Sequence, residues 1–200
     1  MLFRSGAVSK VGLGVTTSCQ QPAAALHFAR YITAEDRGLE EYRRQGFVVE
    51  RGDVWADVPE LSVYAGSMLR PAIEETITAF EQREGVRVSR SYNGCGILVA
   101  QMKSGQHPDA YFACDVEFMK QVSELFGPAT EVSQNELVIL VPKGNPRQIA
   151  GLQDLTQQGL RVGIGHEKQC AMGWITQKTF AETGLTTKIM ENVTVQTPTE

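Results

Sequence analysis

The hydrophobic pattern of residues 61–131 switches repeatedly between the period of a strand and the period of a helix. Apolar residues stand at every second position over 61–65, which predicts a strand. Apolar residues then recur every three to four positions over 73–80, which predicts one apolar helix face, and Gly85 is the expected end of that helix. The same alternation predicts further strands and helices in this region: strands at 86–88 and 109–113, and helices at 97–104 and 116–126.

A second series of elements begins at Glu136–Val141, a continuous apolar run that contains β-branched residues. Such a run is typical of a strand that is buried on both faces. The elements predicted after it are a short helix at 152–157, a strand at 161–164, a helix at 171–182 and a strand at 189–195. Repeated strand–helix order predicts an α/β fold with mainly parallel sheets flanked by helices.

The first part of the chain has a different pattern. Lys10–Thr17 is compatible with a strand, and Pro22–Tyr31 carries apolar residues at helical spacing. Thr33 and Asp36 match the pattern of a capping box, which predicts that a second helix starts there.

Composition and charge narrow the classes of function. The net charge is −4 and no Lys/Arg-rich run occurs, so we expect no nucleic-acid partner. An acidic protein can still bind an anion, because the local field at a site decides. The sequence has no apolar stretch of the ~18 residues that a membrane span requires. Its four cysteines have no CxxC spacing, so spacing alone predicts neither a zinc site nor a disulfide framework.

Turns that follow the predicted strands are the candidate positions for ligand contacts, because parallel sheets bind ligands beyond the carboxyl ends of their strands. Gly66-Ser67-Met68 follows the first strand, where Ser67 is expected to cap the next helix beside backbone N–H groups that attract anions. Gly94-Cys95-Gly96 opens another helix, and its glycines allow close backbone approach to a ligand. Taken singly, these turns are better explained as a capped helix and a tight turn.

Two further turns complete the set. Cys114-Asp115 follows the third strand, and Asp115 is the expected N-cap of the next helix. In the second series, His166 leads to Cys170-Ala171-Met172 at the start of a helix. Two or three helix N-termini that converge on one crevice can bind a tetrahedral oxyanion with neutral donors and dipoles, without Lys or Arg.

Five stretches of the sequence resemble segments of one known family. They are Leu61–Phe80 (LSVYAGSMLRPAIEETITAF), Ser91–Ala100 (SYNGCGILVA), Pro108–Met119 (PDAYFACDVEFM), Asn135–Pro146 (NELVILVPKGNP) and Gly165–Gly173. In this order they resemble the molybdate- and tungstate-binding components of ABC transporters. The resemblance covers about residues 61–200. It implies a type II periplasmic-binding-protein fold, in which two lobes close over a dehydrated anion in the cleft between them. It also implies a periplasmic or extracytoplasmic location and delivery of the anion to a membrane permease.

The resemblance also implies a set of ligand contacts. The family's serine ligand at the first turn corresponds to Ser67, and its second serine position corresponds to Cys95. The expected ligand-binding residues are Gly66, Ser67, Met68, Gly94, Cys95, Gly96, Cys170, Ala171 and Met172. The expected ligand is molybdate, tungstate or another oxyanion. No other cofactor and no enzymatic activity are expected.

The sequence departs from the family pattern at its ends. It stops before the family's usual return into lobe 1, while residues 22–47 resemble the C-terminal helices of such a protein. We therefore interpret residues 1–58 as the tail of a preceding binding module plus a linker, 61–131 as the first part of lobe 1, and 133–200 as an incomplete lobe 2. The chain is then a segment of a tandem fusion, with circular permutation as the alternative and tethering to the membrane through flanking sequence left open.

Three of the cysteines raise a second hypothesis. Cys95, Cys114 and Cys170 all follow predicted strands, on the crevice side. They suggest a thiol-lined site for a soft metal or a thiophilic anion. The alternative is a set of small half-buried cysteines or one structural disulfide. An enzyme with Cys95 or Cys170 as nucleophile and His166 as base lacks any recognisable triad motif. A sensor or interaction module on the same fold is the remaining rival.

Overall fold

The computed structural model describes residues 9–199, which divide into two compact units. One unit comprises the chain up to Glu60 together with Glu75–Val88. The other comprises Leu61–Glu74 together with the chain from Ser89 onwards. The predicted strand–helix series at 61–131 and 133–200 therefore contribute most of their residues to the same unit. Among residues 9–199, no helix combines the length and the apolar composition needed to cross a membrane.

The first unit contains two N-terminal helices, α1 (Pro22–Thr33) and α2 (Gly38–Arg44). Proline suits the first turn of α1 because its missing N–H would have no partner there. The guanidinium of Arg30 donates a hydrogen bond of 2.6 Å to the carbonyl of Glu84. The Trp55 ring packs edge-on against Tyr31, with centroids 5.0 Å apart. These contacts hold α1 in place although none of its residues is fully buried.

Two expectations for this region are wrong. Lys10–Thr17 forms no strand. Thr33 is the last residue of α1 rather than the cap of α2, because its hydroxyl donates to the carbonyl of Ala29 at 2.9 Å inside its own helix. Asp36, the other half of the predicted capping box, accepts a hydrogen bond from the backbone N–H of Trp55 at 2.8 Å. The two residues of the predicted capping box therefore bond to other partners.

A three-stranded sheet begins the predicted series, with β1 (Glu60–Gly66) between β2 (Arg87–Asn93) and β3 (Ala110–Phe112). Strands β1 and β3 are parallel. The helices that connect and follow these strands are α3 (Arg70–Glu84), α4 (Cys95–Lys103) and α5 (Val116–Lys120). As predicted, Asp115 caps α5, since its carboxylate accepts the N–H of Glu117 at 2.8 Å. The core on this side includes Cys95, Leu98, Val99, Met102, Tyr111, Phe118, Val122 and Ala171.

A second, two-stranded parallel sheet pairs β4 (Val162–Gly165) with β5 (Val193–Thr197). Helix α6 (Ala171–Thr183) ends at Gly184, whose φ of 69° is the left-handed conformation expected of a helix C-terminus. Helix α7 (Thr186–Met190) follows. Both sheets contain parallel pairs and have helices between their strands, which confirms the predicted α/β fold class.

The predicted strand at 189–195 starts too early. Ile189 is fully buried, but it lies in α7 and packs with Leu155 and Phe180. The side-chain amide of Asn192 then donates to the carbonyl of Leu155 at 2.8 Å, and β5 begins only at the next residue. An apolar residue on a short helix therefore gave the same signal as the first residue of a strand.

The predicted buried strand at Glu136–Val141 is also wrong. This segment belongs to neither sheet of the described chain, and Leu140 is 95% exposed and Val138 76% exposed. A strand needs a neighbour that satisfies its backbone donors and acceptors. Without such a neighbour among the described residues, the apolar run alone does not specify burial.

Two leucine substitutions test this correction. Leu98→Ala removes a fully buried side chain from α4 and is expected to lower the free energy of unfolding by about 2–5 kcal/mol. Leu140→Ala removes the same atoms from an exposed position and is expected to change it by no more than about 0.5 kcal/mol. Urea denaturation of the two variants measures the difference. A loss at Leu140 comparable to that at Leu98 would contradict the exposed conformation.

Candidate functional site

The first turn connects the end of β1 to α3. Gly66 is buried at the end of the strand, and Ser67 begins a 3-10 turn (Ser67–Leu69) that leads into the helix. The cap position belongs to Gly66, so the prediction that Ser67 caps this helix is wrong. The inserted 3-10 turn is the reason, because it moves the start of the helical backbone one residue towards the strand.

Gly66 has no room for a side chain. A methyl group added to it would lie 1.9 Å from Sγ of Cys114 and 2.8 Å from Sγ of Cys95. Both distances are far below van der Waals contact. The first turn therefore lies directly against the two sulfur atoms.

The second turn opens α4, with Gly94 at the N-cap and Cys95, which is fully buried, as the first helical residue. The backbone N–H of Gly96 donates to the carbonyl of Gln169 at 3.0 Å. A methyl group on Gly96 would lie 1.9 Å from the carbonyl oxygen of Lys168. The close approach of a ligand to these glycines stays a prediction, and in this structure the group that approaches them is the backbone of residues 168–169.

The third turn connects β4 to α6, with the buried Cys170 at the N-cap. Its N–H donates to the carbonyl of His166 at 3.1 Å. A methyl group added to Gly173 would lie 2.5 Å from the carbonyl atoms of Gly165, so the strand end and the first helical turn touch through their backbones. Ala171 packs into the core beside α4.

His166 has a structural position within this turn. Its Nδ1 accepts a hydrogen bond from the backbone N–H of Lys168 at 3.3 Å. The backbone N–H of His166 donates to the carbonyl of Thr197 in β5 at 2.7 Å. These contacts hold the turn and orient the imidazole towards its own loop.

The structure thus brings the three predicted turns together. We call residues 66–68, 94–96 and 170–172 the three-turn site. Gly66 touches the sulfur of Cys95, and Gly96 is hydrogen-bonded to Gln169, the residue before Cys170. The starts of α4 and α6 therefore come together at one place, and each contributes the positive end of a helix dipole there. The role of these residues as ligand contacts remains a prediction.

The three thiols of the metal hypothesis do not form one cluster. Among the described residues, no group of three or more His, Cys, Asp or Glu side chains is arranged to hold a metal ion. Cys95 and Cys114 lie side by side at the first sheet. The sulfur of Cys170 lies against Gly165, at the end of a strand in the second sheet. The three-thiol site is therefore not assembled among the described residues.

Tyr111 is a neighbour of the paired thiols that the sequence did not reveal. Burial raises the pKa of its hydroxyl, and the adjacent Cys95 and Cys114 raise that pKa further. The hydroxyl is buried beside the Cys95 side chain. Its position in β3 gives no sequence signal of this contact, because a tyrosine in a strand is ordinary.

Residues 61–200 match the sequence profile of a family described as bacterial extracellular solute-binding proteins. The molybdate-binding protein ModA of Mycobacterium tuberculosis is 31% identical over 106 residues, which are 51% of this chain and 41% of that protein. ModA of Escherichia coli is 22% identical over 142 residues, which are 66% of this chain and 55% of that protein. The chain spans about half the length of the curated relatives that it matches.

Among solved structures, the periplasmic molybdate-binding protein of Azotobacter vinelandii superposes with a TM-score of 0.51 at 16% identity. The superposition covers 70% of this chain and 62% of that protein. This likeness concerns the fold, and it confirms the predicted type II periplasmic-binding-protein fold.

Substitution of Gly96 tests the contact between the second and third turns. Gly96→Ala is expected to lower the free energy of unfolding by about 1–3 kcal/mol, because the new methyl group would collide with the Lys168 carbonyl. Gly163→Ala is the matched control, since nothing lies within 4 Å of its added methyl group. Urea denaturation compares the two variants. Equal stability would mean that the turns do not touch in solution.

Proposed function

Because the chain belongs to the bacterial extracellular solute-binding proteins, we propose that it captures a small tetrahedral oxyanion, molybdate or tungstate, outside the cytoplasm. We propose further that it delivers this ion to the permease of an ABC transporter. The single observation that carries the proposal is the meeting of the α4 and α6 N-termini in the three-turn site. The relatives from M. tuberculosis and E. coli are named molybdate-binding proteins, which supports the choice of ion.

The donors in this proposal are neutral. The first N–H groups of a helix have no partner within the helix, and they carry the positive end of its dipole. Helices α4 and α6 are 9 and 13 residues long, so each has a developed dipole. Two such ends, with the hydroxyl of Ser67 as a further donor, can hold a doubly charged anion without Lys or Arg.

Capture requires the three-turn site to open. The N–H of Gly96 donates to the carbonyl of Gln169, and this N–H is one of the donors that the anion needs. An entering oxyanion would replace the Gln169 carbonyl as its acceptor. Hinge motion that separates the turns and closes them around the ion accounts for this exchange.

Binding without a chemical reaction is the mechanism that we propose. The matched family consists of solute-binding proteins. The alternative with His166 as a general base has little support, because Nδ1 already accepts the N–H of Lys168. Specificity would then depend on cavity size and on donors that only a fully deprotonated tetrahedral ion satisfies.

Calorimetry of the purified protein against molybdate, tungstate, sulfate and phosphate tests the proposal. Molybdate or tungstate is expected to bind with Kd near or below about 1 μM, which corresponds to roughly −8 kcal/mol, and more tightly than sulfate or phosphate. Ser67→Ala is expected to weaken binding by about tenfold through loss of one hydrogen bond to a charged group. Ser133→Ala, at an exposed position, is the control. Absence of binding by all four anions would reject the proposal.

Cys95→Ser restores the serine that the resemblance puts at this position. A hydroxyl donates a stronger hydrogen bond than a thiol, so Cys95→Ser is expected to tighten oxyanion binding by about three- to tenfold. Cys19→Ser, outside the three-turn site, should leave the affinity unchanged. The same calorimetric titration measures both variants. Unchanged or weaker binding by Cys95→Ser would show that the Cys95 side chain does not donate to the ion.

A further inference from the structure

A pair of sulfur atoms, on Cys95 and Cys114, lies beneath Gly66. Both sulfurs lie close to the point that a Cβ on Gly66 would occupy, with Sγ of Cys114 at 1.9 Å and Sγ of Cys95 at 2.8 Å from it. They are therefore within about 5 Å of each other, and a disulfide needs ~2.05 Å between its sulfurs. The two sulfurs would therefore have to approach by at most about 3 Å to form the bond.

The backbone around the pair favours the same bond. Cys95 is the first residue of α4, and Cys114 follows β3. The backbone N–H of Cys114 donates to Sγ of Cys95 at 3.2 Å, which fixes the two residues in contact. The link would therefore join the ends of two elements that already touch.

The two thiols differ in exposure, and this difference gives an order of reaction. Cys114 is half-buried, whereas Cys95 is fully buried. A small reagent reaches Cys114 first. The N–H of Cys114 and the positive start of α4 favour negative charge on the sulfur of Cys95, whereas its complete burial opposes that charge and keeps reagents away. Cys95 is accordingly the thiol placed to complete the exchange.

We propose that Cys95 and Cys114 form a reversible disulfide whose formation weakens oxyanion binding at the three-turn site. The oxidant is a low-molecular-weight disulfide. The Cys114 thiolate attacks one of its sulfurs and expels a thiolate, leaving a mixed disulfide on Cys114. The Cys95 thiolate then attacks the Cys114 sulfur and expels the second thiolate. Two protein thiols are oxidised to one disulfide, the reagent is reduced to two thiols, and the two protein protons pass to the released thiolates.

The regulatory half of this inference rests on the proposed function. Cys95 occupies the position at which the resemblance puts a serine ligand. In the disulfide its sulfur carries no proton, so it cannot donate a hydrogen bond and presents lone pairs to an anion. The oxidised protein is therefore expected to bind the oxyanion about tenfold more weakly than the reduced protein.

Peptide mapping tests the covalent step. The purified protein is incubated with oxidised glutathione, digested without reductant and analysed by mass spectrometry. The expected product is a Cys95–Cys114 cross-link that forms equally in Cys170→Ser and is absent from Cys114→Ser. A stable glutathione adduct on Cys114, or a link from Cys95 to Cys170 or Cys19 in its place, would overturn the proposal.

Calorimetry with molybdate and tungstate tests the regulatory step. Affinity should fall on oxidation, recover after dithiothreitol, and stay constant in Cys114→Ser, which lacks the partner thiol. A cross-linked protein with unchanged affinity would overturn the regulation. If the reduced protein binds neither ion, the proposed function fails and the regulation falls with it, whereas the peptide masses still decide whether the disulfide forms.

Discussion

The hydrogen bond from the Gly96 N–H to the Gln169 carbonyl is the contact on which the three-turn site depends. It joins the start of α4, at the first sheet, to the turn that starts α6, at the second sheet. Backbone can approach backbone this closely only where no Cβ intervenes, and the Lys168 carbonyl oxygen occupies the space that a side chain on Gly96 would need. Two helix N-termini therefore come together although neither carries a charged side chain into the contact. The same bond uses a donor that an anion would need, so one interaction stabilises the closed arrangement and must be exchanged when the ligand binds.

The sequence pattern predicted several features that depend only on residues nearby in the chain. The alternating residues of β1, the capping carboxylate of Asp115 and Gly85 at the end of α3 are decided within a few residues, and each was found where the pattern indicated. The caps predicted at Thr33 and Ser67 failed locally, whereas two further failures involve partners distant in the chain. The apolar run 136–141 requires a neighbouring strand that no local signal guarantees, and the described sheets do not include it. Ile189 has the burial of a core residue, yet its contacts with Leu155 and Phe180 are made from a helix.

The three-turn site shows the same division. The sequence indicated which turns start helices, and the topology of parallel sheets predicted that they would meet. It did not predict that the carbonyls of residues 168–169 would meet the glycines, because every residue has a carbonyl and the signal is therefore absent. Nor did it separate the cysteines: Cys95 and Cys114 lie beside β1 and β3 of one sheet, whereas Cys170 follows β4 of the other. The sequence shows that each cysteine follows a strand, but only the strand order of the structure shows to which sheet that strand belongs.

A thiol at the start of α4 has two properties, hydrogen bonding and disulfide formation, of which a serine hydroxyl has only the first. At that position a hydroxyl can only donate or accept hydrogen bonds, and its chemistry does not change with redox conditions. A thiol donates more weakly, yet it can exchange its proton for a bond to a second sulfur. Cys114, which carries the second sulfur, already donates its backbone N–H to the sulfur of Cys95, and Gly66 leaves both sulfurs the space beneath β1. The glycine that brings the first turn close to α4 thus also permits the two sulfurs to be neighbours, which couples the geometry proposed for anion binding to the geometry needed for the disulfide.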